Sequence, residues 1–147
     1  MRGLLIRVGV IVAILVAGFI LRDFISGNAT DLHVGDCFDE PAAAVDSFED
    51  VQHHPCTEPH DAEVIFVNDY EPISSIYPSE SDLDAFVLDR CSGAFAAYTG
   101  LGFDQQELDF SYFWPTAETW AGGQHKVICY AVKYDGTKLD VSVKKSS

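Results

Sequence analysis

Basic side chains are what this chain has least of: nine Lys and Arg stand against 23 Asp and Glu, for a net charge of −14. Arg2, Arg7 and Arg22 precede the first acid, Asp23, so residues 23 to 147 carry six basic groups against 23 acidic ones, a balance of −17. A surface of that sign repels phosphate backbones and anionic headgroups, which argues against nucleic acid as a partner and leaves a solvated acidic surface as the plain reading. Catalytic signatures are missing as well. The chain has no G-x-S-x-G elbow, no H-E-x-x-H pair, no phosphate-binding glycine loop and no C-x-x-C, which removes the familiar hydrolase, zincin, P-loop and zinc-ribbon patterns. It also has no internal repeat and no low-complexity tract, and 147 residues suit one domain plus a targeting segment. The expectation is a protein that is not an enzyme and carries no cofactor.

What is present begins with an apolar N-terminus. Val8 to Leu21 runs fourteen residues without a charge, and from Leu4 to Ile25 the segment is twenty-two residues long. As a helix rising about 1.5 Å per residue it covers the roughly 30 Å of a bilayer's hydrocarbon, with Arg7 and Arg22 snorkelling to the interfaces. Residues 1–25 are therefore expected to be a transmembrane anchor. The competing reading is a cleaved secretory signal, with Gly27 and Ala29 as a weak small-x-small site. Either way the remainder is exported and the basic N-terminus stays in the cytoplasm. The expected localisation is the cell membrane, single-pass, with the C-terminal domain extracytoplasmic.

Residues 26–31 read as a linker and 32–147 as the exported domain. Val34 to Phe38 reads as a short strand or turn, residues 39–50 as an acidic surface loop, and Glu63 to Asn68 as a strand buried on both faces. Ser81 to Thr99 predicts a helix, because Leu83, Phe86, Val87, Cys91, Ala94, Phe95 and Tyr98 share one face at helical spacing. Ser79 and Ser81 with nearby acids supply its start, and Gly100 its stop. Leu108, Phe110, Tyr112 and Trp114 alternate as a strand does, and Val127 to Tyr134 reads as a central strand. Asp135-Gly136 then predicts a hairpin into Leu139, Val141 and Val143. The fold class expected is α+β, a single domain with a mostly antiparallel sheet and one main helix.

Cys37, Cys56, Cys91 and Cys129 would all lie in an oxidising compartment, where thiols pair. Four cysteines allow three connectivities. Cys91 on the helix and Cys129 in the central strand occupy the elements expected to pack together, so they are paired, and Cys37 with Cys56 follows by elimination. Each bridge would stabilise the fold by about 2 to 4 kcal/mol.

The densest chemistry is CTEPHDAEV, Cys56 to Val64, two residues after His53 and His54. With Cys56 in a bridge, a metal site would rest on His53, His54 and His60, an extracytoplasmic metal-binding or sensing module being the second reading of function. His60 and Glu63 suit one helix face, but Pro59 favours a turn into a strand, which separates them. The structural reading is a turn locked by Cys56 and fixed by Pro59, with His60 satisfying local partners. Asp61 with Glu63 could serve as acid and base in an envelope hydrolase, a third reading that requires a cleft. Trp114 and Trp120, beside Pro115 and Gly122-Gly123, are core aromatics or an exposed platform. The candidate binding surface is His60, Glu63, Trp114 and Trp120, with neither catalytic nor metal residues assigned.

The series Val34-Gly35-Asp36-Cys37-Phe38, Pro55-Cys56-Thr57-Glu58-Pro59-His60-Asp61-Ala62-Glu63-Val64, Cys91, Pro115-Thr116, Trp120, Gly122-Gly123 and Cys129 resembles the septum-formation-related family of actinobacterial exported proteins. Its pattern is a G-D-C opening, a C-x-x-P-H-x-x-E-V block, a helix cysteine and a P-T-x-x-x-W-x-x-G segment closing on a cysteine. The resemblance spans residues 32 to 132 and places all four cysteines. It implies an anchored extracytoplasmic domain without assigned catalysis, acting as an accessory or interaction protein in septum formation or other cell-envelope processes, with an unknown partner of the division or envelope machinery.

Overall fold

A computed structural model describes residues 27–41, 50–71, 74–102 and 107–146. The anchor expected over residues 1–25 lies outside them. Among the described residues, no helix is long and apolar enough to cross a membrane.

The two continuous apolar runs form the centre of the sheet. Strand β4, Ala62–Asp69, pairs antiparallel with β6, Lys126–Lys133; β4 buries its first half and β6 its middle on both faces, as core strands do. On the far side of β6 lies β5, Leu108–Phe113. On the far side of β4 come β2, Cys37–Asp39, then β3, Asp50–His54, then β1, Gly27–Asn28. The order is β1-β3-β2-β4-β6-β5, and every neighbouring pair is antiparallel.

Helix α1, Glu80–Thr99, starts where expected. The Ser79 hydroxyl accepts from the Asp82 N–H at 3.3 Å, and Glu80 and Asp82 face the positive end of the helix dipole. It stops at Gly100, whose φ of 75° is left-handed and whose N–H reaches Ala96 O at 3.0 Å. Val87, Cys91 and Phe95 from α1 pack on Ile65, Val127, Cys129 and Ala131. The opposite face of the sheet holds a second cluster, Phe38, Ala62, Val64, Ile128 and Tyr130, closed by Ala29, Leu32 and Val51. The bridges are Cys37–Cys56 and Cys91–Cys129, with Cα separations of 5.3 and 5.7 Å, both ordinary for a disulfide. An α+β domain with a mostly antiparallel sheet and one main helix is thus what forms.

Three expectations need correction. Residues 27–31, read as linker, are part of the domain: β1 pairs with β3, the 3-10 turn Ala29–Asp31 follows, and Ala29 is fully buried. The loop expected over 39–50 is bounded by strand residues, with Asp39 ending β2 and Asp50 starting β3, while 42–49 lie outside the described residues. The hairpin after Asp135-Gly136 does not form. The turn itself is present, with Gly136 N–H on Lys133 O at 3.0 Å and φ 72° at Gly136. However, β6 already has β4 on one edge and β5 on the other. A strand has only two edges, so the chain beyond the turn runs past the start of β4, where Val132 stands opposite Ala62, and pairs Leu139 with His60.

Candidate functional site

Register alone assembles the site. Cys37 stands opposite both His54 and Glu63, and Glu63 opposite Ala131. Directly opposed residues share a face, so His54, Cys37 and Glu63 lie on the side of the sheet that carries α1. Glu63 is 1% exposed and Cys37 2%. A buried carboxylate needs donors, and three converge on Glu63. Tyr98 Oη and Ser142 Oγ donate to Oε1 at 2.6 and 2.7 Å, and Val143 N–H donates to Oε2 at 2.6 Å. Among the described residues no cationic group pairs with it. Burial, and then the hydrogen bond to Glu63 and its charge, push the Tyr98 phenol well above its ordinary range.

His60 is fully buried two residues before β4. Its backbone is fixed by a pair of hydrogen bonds with Leu139, N–H to O at 3.0 Å and O to N–H at 2.8 Å. Its Nδ1 lies 2.6 Å from Glu58 O. A carbonyl only accepts, so Nδ1 carries the proton, and in the neutral ring Nε2 is left as the basic nitrogen. That atom is buried without a hydrogen-bond partner. The turn beneath it is closed by Glu58 N–H on Pro55 O at 2.9 Å and by the Cys37–Cys56 bridge. A ring nitrogen of His60, a carboxylate oxygen of Glu63 and Cys37 Sγ all lie within 4.8 Å of one another.

A charged network surrounds this pocket. Lys138 Nζ donates to Asp39 Oδ1 and lies 3.2 Å from Asp61 Oδ1, while His54 Nε2 lies 3.0 Å from Asp39 Oδ2. Partial burial opposes the charge on Asp39, but the hydrogen bond and charge of Lys138, with His54 beside it, hold its carboxyl below the usual range. Asp61 therefore serves Lys138 while Glu63 serves α1 and the C-terminal segment. The set His53, His54 and His60 is not assembled: His54 is engaged by Asp39, and His53, opposite Phe38, faces the other side of the sheet.

The other half of the candidate surface is also internal. Trp120 is 2% exposed and donates Nε1–H to Ser74 O at 2.8 Å. Its ring stacks on Trp114 at 6.2 Å and meets Tyr70, Tyr77 and His125 edge-on. Of the two readings of Trp120, core aromatic or exposed platform, its burial favours the core one, and His60 and Glu63 are buried as well. A short helix, α2, Ala117–Ala121, carries Trp120 inward; the Thr116 side chain caps it by accepting from Thr119 N–H at 3.2 Å. Sequence reading missed this helix, although Pro115-Thr116 with Glu118 in the first turn is a start signal.

A shallow depression of about 380 Å³ is lined by Glu107, Leu108, Lys133 and Asp135. Acid–base hydrolysis wants one carboxyl held protonated. Asp135 is shifted the other way, below its ordinary value, by hydrogen bonds from the Thr137 hydroxyl and N–H.

Compared with known proteins, residues 27–129 match the family model described as septum formation. No curated protein and no solved structure matches the chain.

Proposed function

The chain belongs to the septum formation family, and from that premise we propose that it acts in septum formation as a non-enzymatic accessory protein anchored in the cytoplasmic membrane. Residues 1–25 supply the anchor, and the folded domain works on the extracytoplasmic side against a protein partner of the division or envelope machinery. The observation that carries this reading is the family match, which spans the sheet from β1 into β6. Two features support the finer parts. All four cysteines are paired and none is free, the pattern of an oxidising compartment. The balance of −17 beyond residue 22 suits a cationic or neutral protein surface and opposes nucleic acid.

The test is imaging of the full-length chain in cells, fused at its C-terminus to a fluorophore that matures outside the membrane. Enrichment at midcell in step with division is expected. A uniform membrane signal would remove the septal assignment, and a signal only for a fluorophore that matures in the cytoplasm would remove the topology.

A further inference from the structure

Beside the Cys37–Cys56 disulfide, three side chains of metal-binding type already stand together. Cys37 Sγ, a ring nitrogen of His60 and a carboxylate oxygen of Glu63 lie within 4.8 Å of one another, and all three residues are buried. His60 is presented as metal-bound histidines are, with Nδ1–H fixed on a backbone carbonyl and Nε2 left open and unpartnered. Glu63 Oε1 already accepts two hydrogen bonds, whereas Oε2 accepts one and keeps a lone pair. What the set lacks is the electron pair that Cys37 shares with Cys56.

We infer that the Cys37–Cys56 disulfide masks a zinc site: once it is reduced, the Cys37 thiolate, His60 Nε2 and the Glu63 carboxylate hold one Zn(II), with water in the fourth position. Zinc is the ion that mixed sulfur, imidazole and carboxylate sets of three suit, in an open tetrahedron. Zinc–ligand bonds of about 2.0 to 2.3 Å require ligand atoms about 3.3 to 3.8 Å apart, a contraction of about 1 to 1.5 Å from the 4.8 Å outer limit seen here. One thiolate and one carboxylate cancel the ion's charge, so the occupied site is neutral, as burial requires.

The two sulfurs of the bridge are unequal. Cys56 is partly exposed and Cys37 is 2% exposed, so an incoming dithiol reaches Cys56. Its thiolate bonds to Cys56 Sγ, the Cys37–Cys56 bond breaks, and Cys37 leaves as a thiolate into the pocket. The second thiol of the reductant then closes its own disulfide and releases Cys56. Two electrons pass from the dithiol to the protein; one proton stays on Cys56 and the other leaves to solvent as zinc takes the Cys37 thiolate. An acceptor for the freed Cys56 S–H is in place, since Cys56 Sγ lies 3.4 Å from Gly35 O. The other bridge offers no such route, because Cys91 and Cys129 are both fully buried. This inference is independent of the septal role and can fail without it.

Cys56→Ser frees Cys37 without a reductant and leaves Cys91–Cys129 intact. Titrated with Co(II) as a spectroscopic stand-in for zinc, the full-length variant is expected to bind one ion and to show a thiolate-to-cobalt charge-transfer band with tetrahedral visible bands. Adding His60→Ala or Glu63→Gln should weaken binding by about 100-fold or more, and Cys37→Ser, which frees Cys56 instead, should show no band. The wild-type chain after limited phosphine reduction, with mass spectrometry confirming that only Cys37 and Cys56 are open, gives the same readout without substitution. No band in the reduced wild type, or a band of equal strength in Cys37→Ser or after His60→Ala, overturns the inference.

Discussion

The two disulfides rise from the same face of one sheet and meet opposite surroundings. Cys129 sits in β6 under α1, and its bridge to Cys91 is packed by Val87, Phe95, Ile65, Val127 and Ala131, with both cysteines fully buried. Cys37 sits in β2, and its bridge to Cys56 has one partly exposed end, an unpartnered imidazole beside it and a buried carboxylate across the register. Chain entropy barely separates them. Sequence separations of 38 and 19 residues give about 4 and about 3 kcal/mol. Surroundings separate them instead: one bridge is part of an apolar core, and the other closes a polar pocket.

Removing the core bridge should show the largest effect. Cys91→Ala with Cys129→Ala is expected to cost about 4 kcal/mol in denaturant unfolding, and the pair Cys37→Ala with Cys56→Ala about 3 kcal/mol. A larger loss from the Cys37–Cys56 pair would break the comparison. Next comes the pocket. Glu63→Ala strands the Tyr98, Ser142 and Val143 donors and should cost about 2 to 3 kcal/mol in the same assay, whereas a loss under about 0.5 kcal/mol would mean that the donors find water.

Tyr98→Phe should cost about 1 kcal/mol and change the alkaline limb of stability. The folded Tyr98 pKa is raised, so its contribution is fully present below the unfolded value of about 10 and is lost as pH rises beyond it. The variant's stability should therefore fall less steeply above pH about 10 in melts across the alkaline range. Lys138→Met should have the smallest effect, under about 1 kcal/mol, since the lysine side chain is 43% exposed. Asp39 has a lowered pKa, so what Lys138 contributes through it is present above the unfolded value of about 3.9 and is lost as pH falls through the folded one. Wild type and variant should then converge in acid melts.

What the sequence revealed was local, and what it hid was set by distant partners. Helix α1 was readable because seven apolar residues share one face and both caps are written beside it. The pairing of Cys91 with Cys129 was readable because each lies on an element whose packing partner is the other. Strand β3 was not readable: among its described side chains, Val51 to His54, Val51 is the one core residue, and His53 and His54 imitate a ligand pair. The hairpin after Asp135-Gly136 was misread because a turn signal does not say whether the preceding strand has a free edge. The buried role of Glu63 was hidden for the same reason, since its donors lie 35, 79 and 80 residues away.

The most direct test of the division between the two bridges is graded phosphine reduction of the full-length chain, with thiols trapped by alkylation, located by mass spectrometry and followed by near-ultraviolet circular dichroism. The expected result is that Cys37 and Cys56 are trapped first, with Cys91–Cys129 intact and the aromatic signal of the Trp120 cluster retained. Trapping of all four cysteines together as that signal collapses, or of Cys91 and Cys129 first, would contradict it.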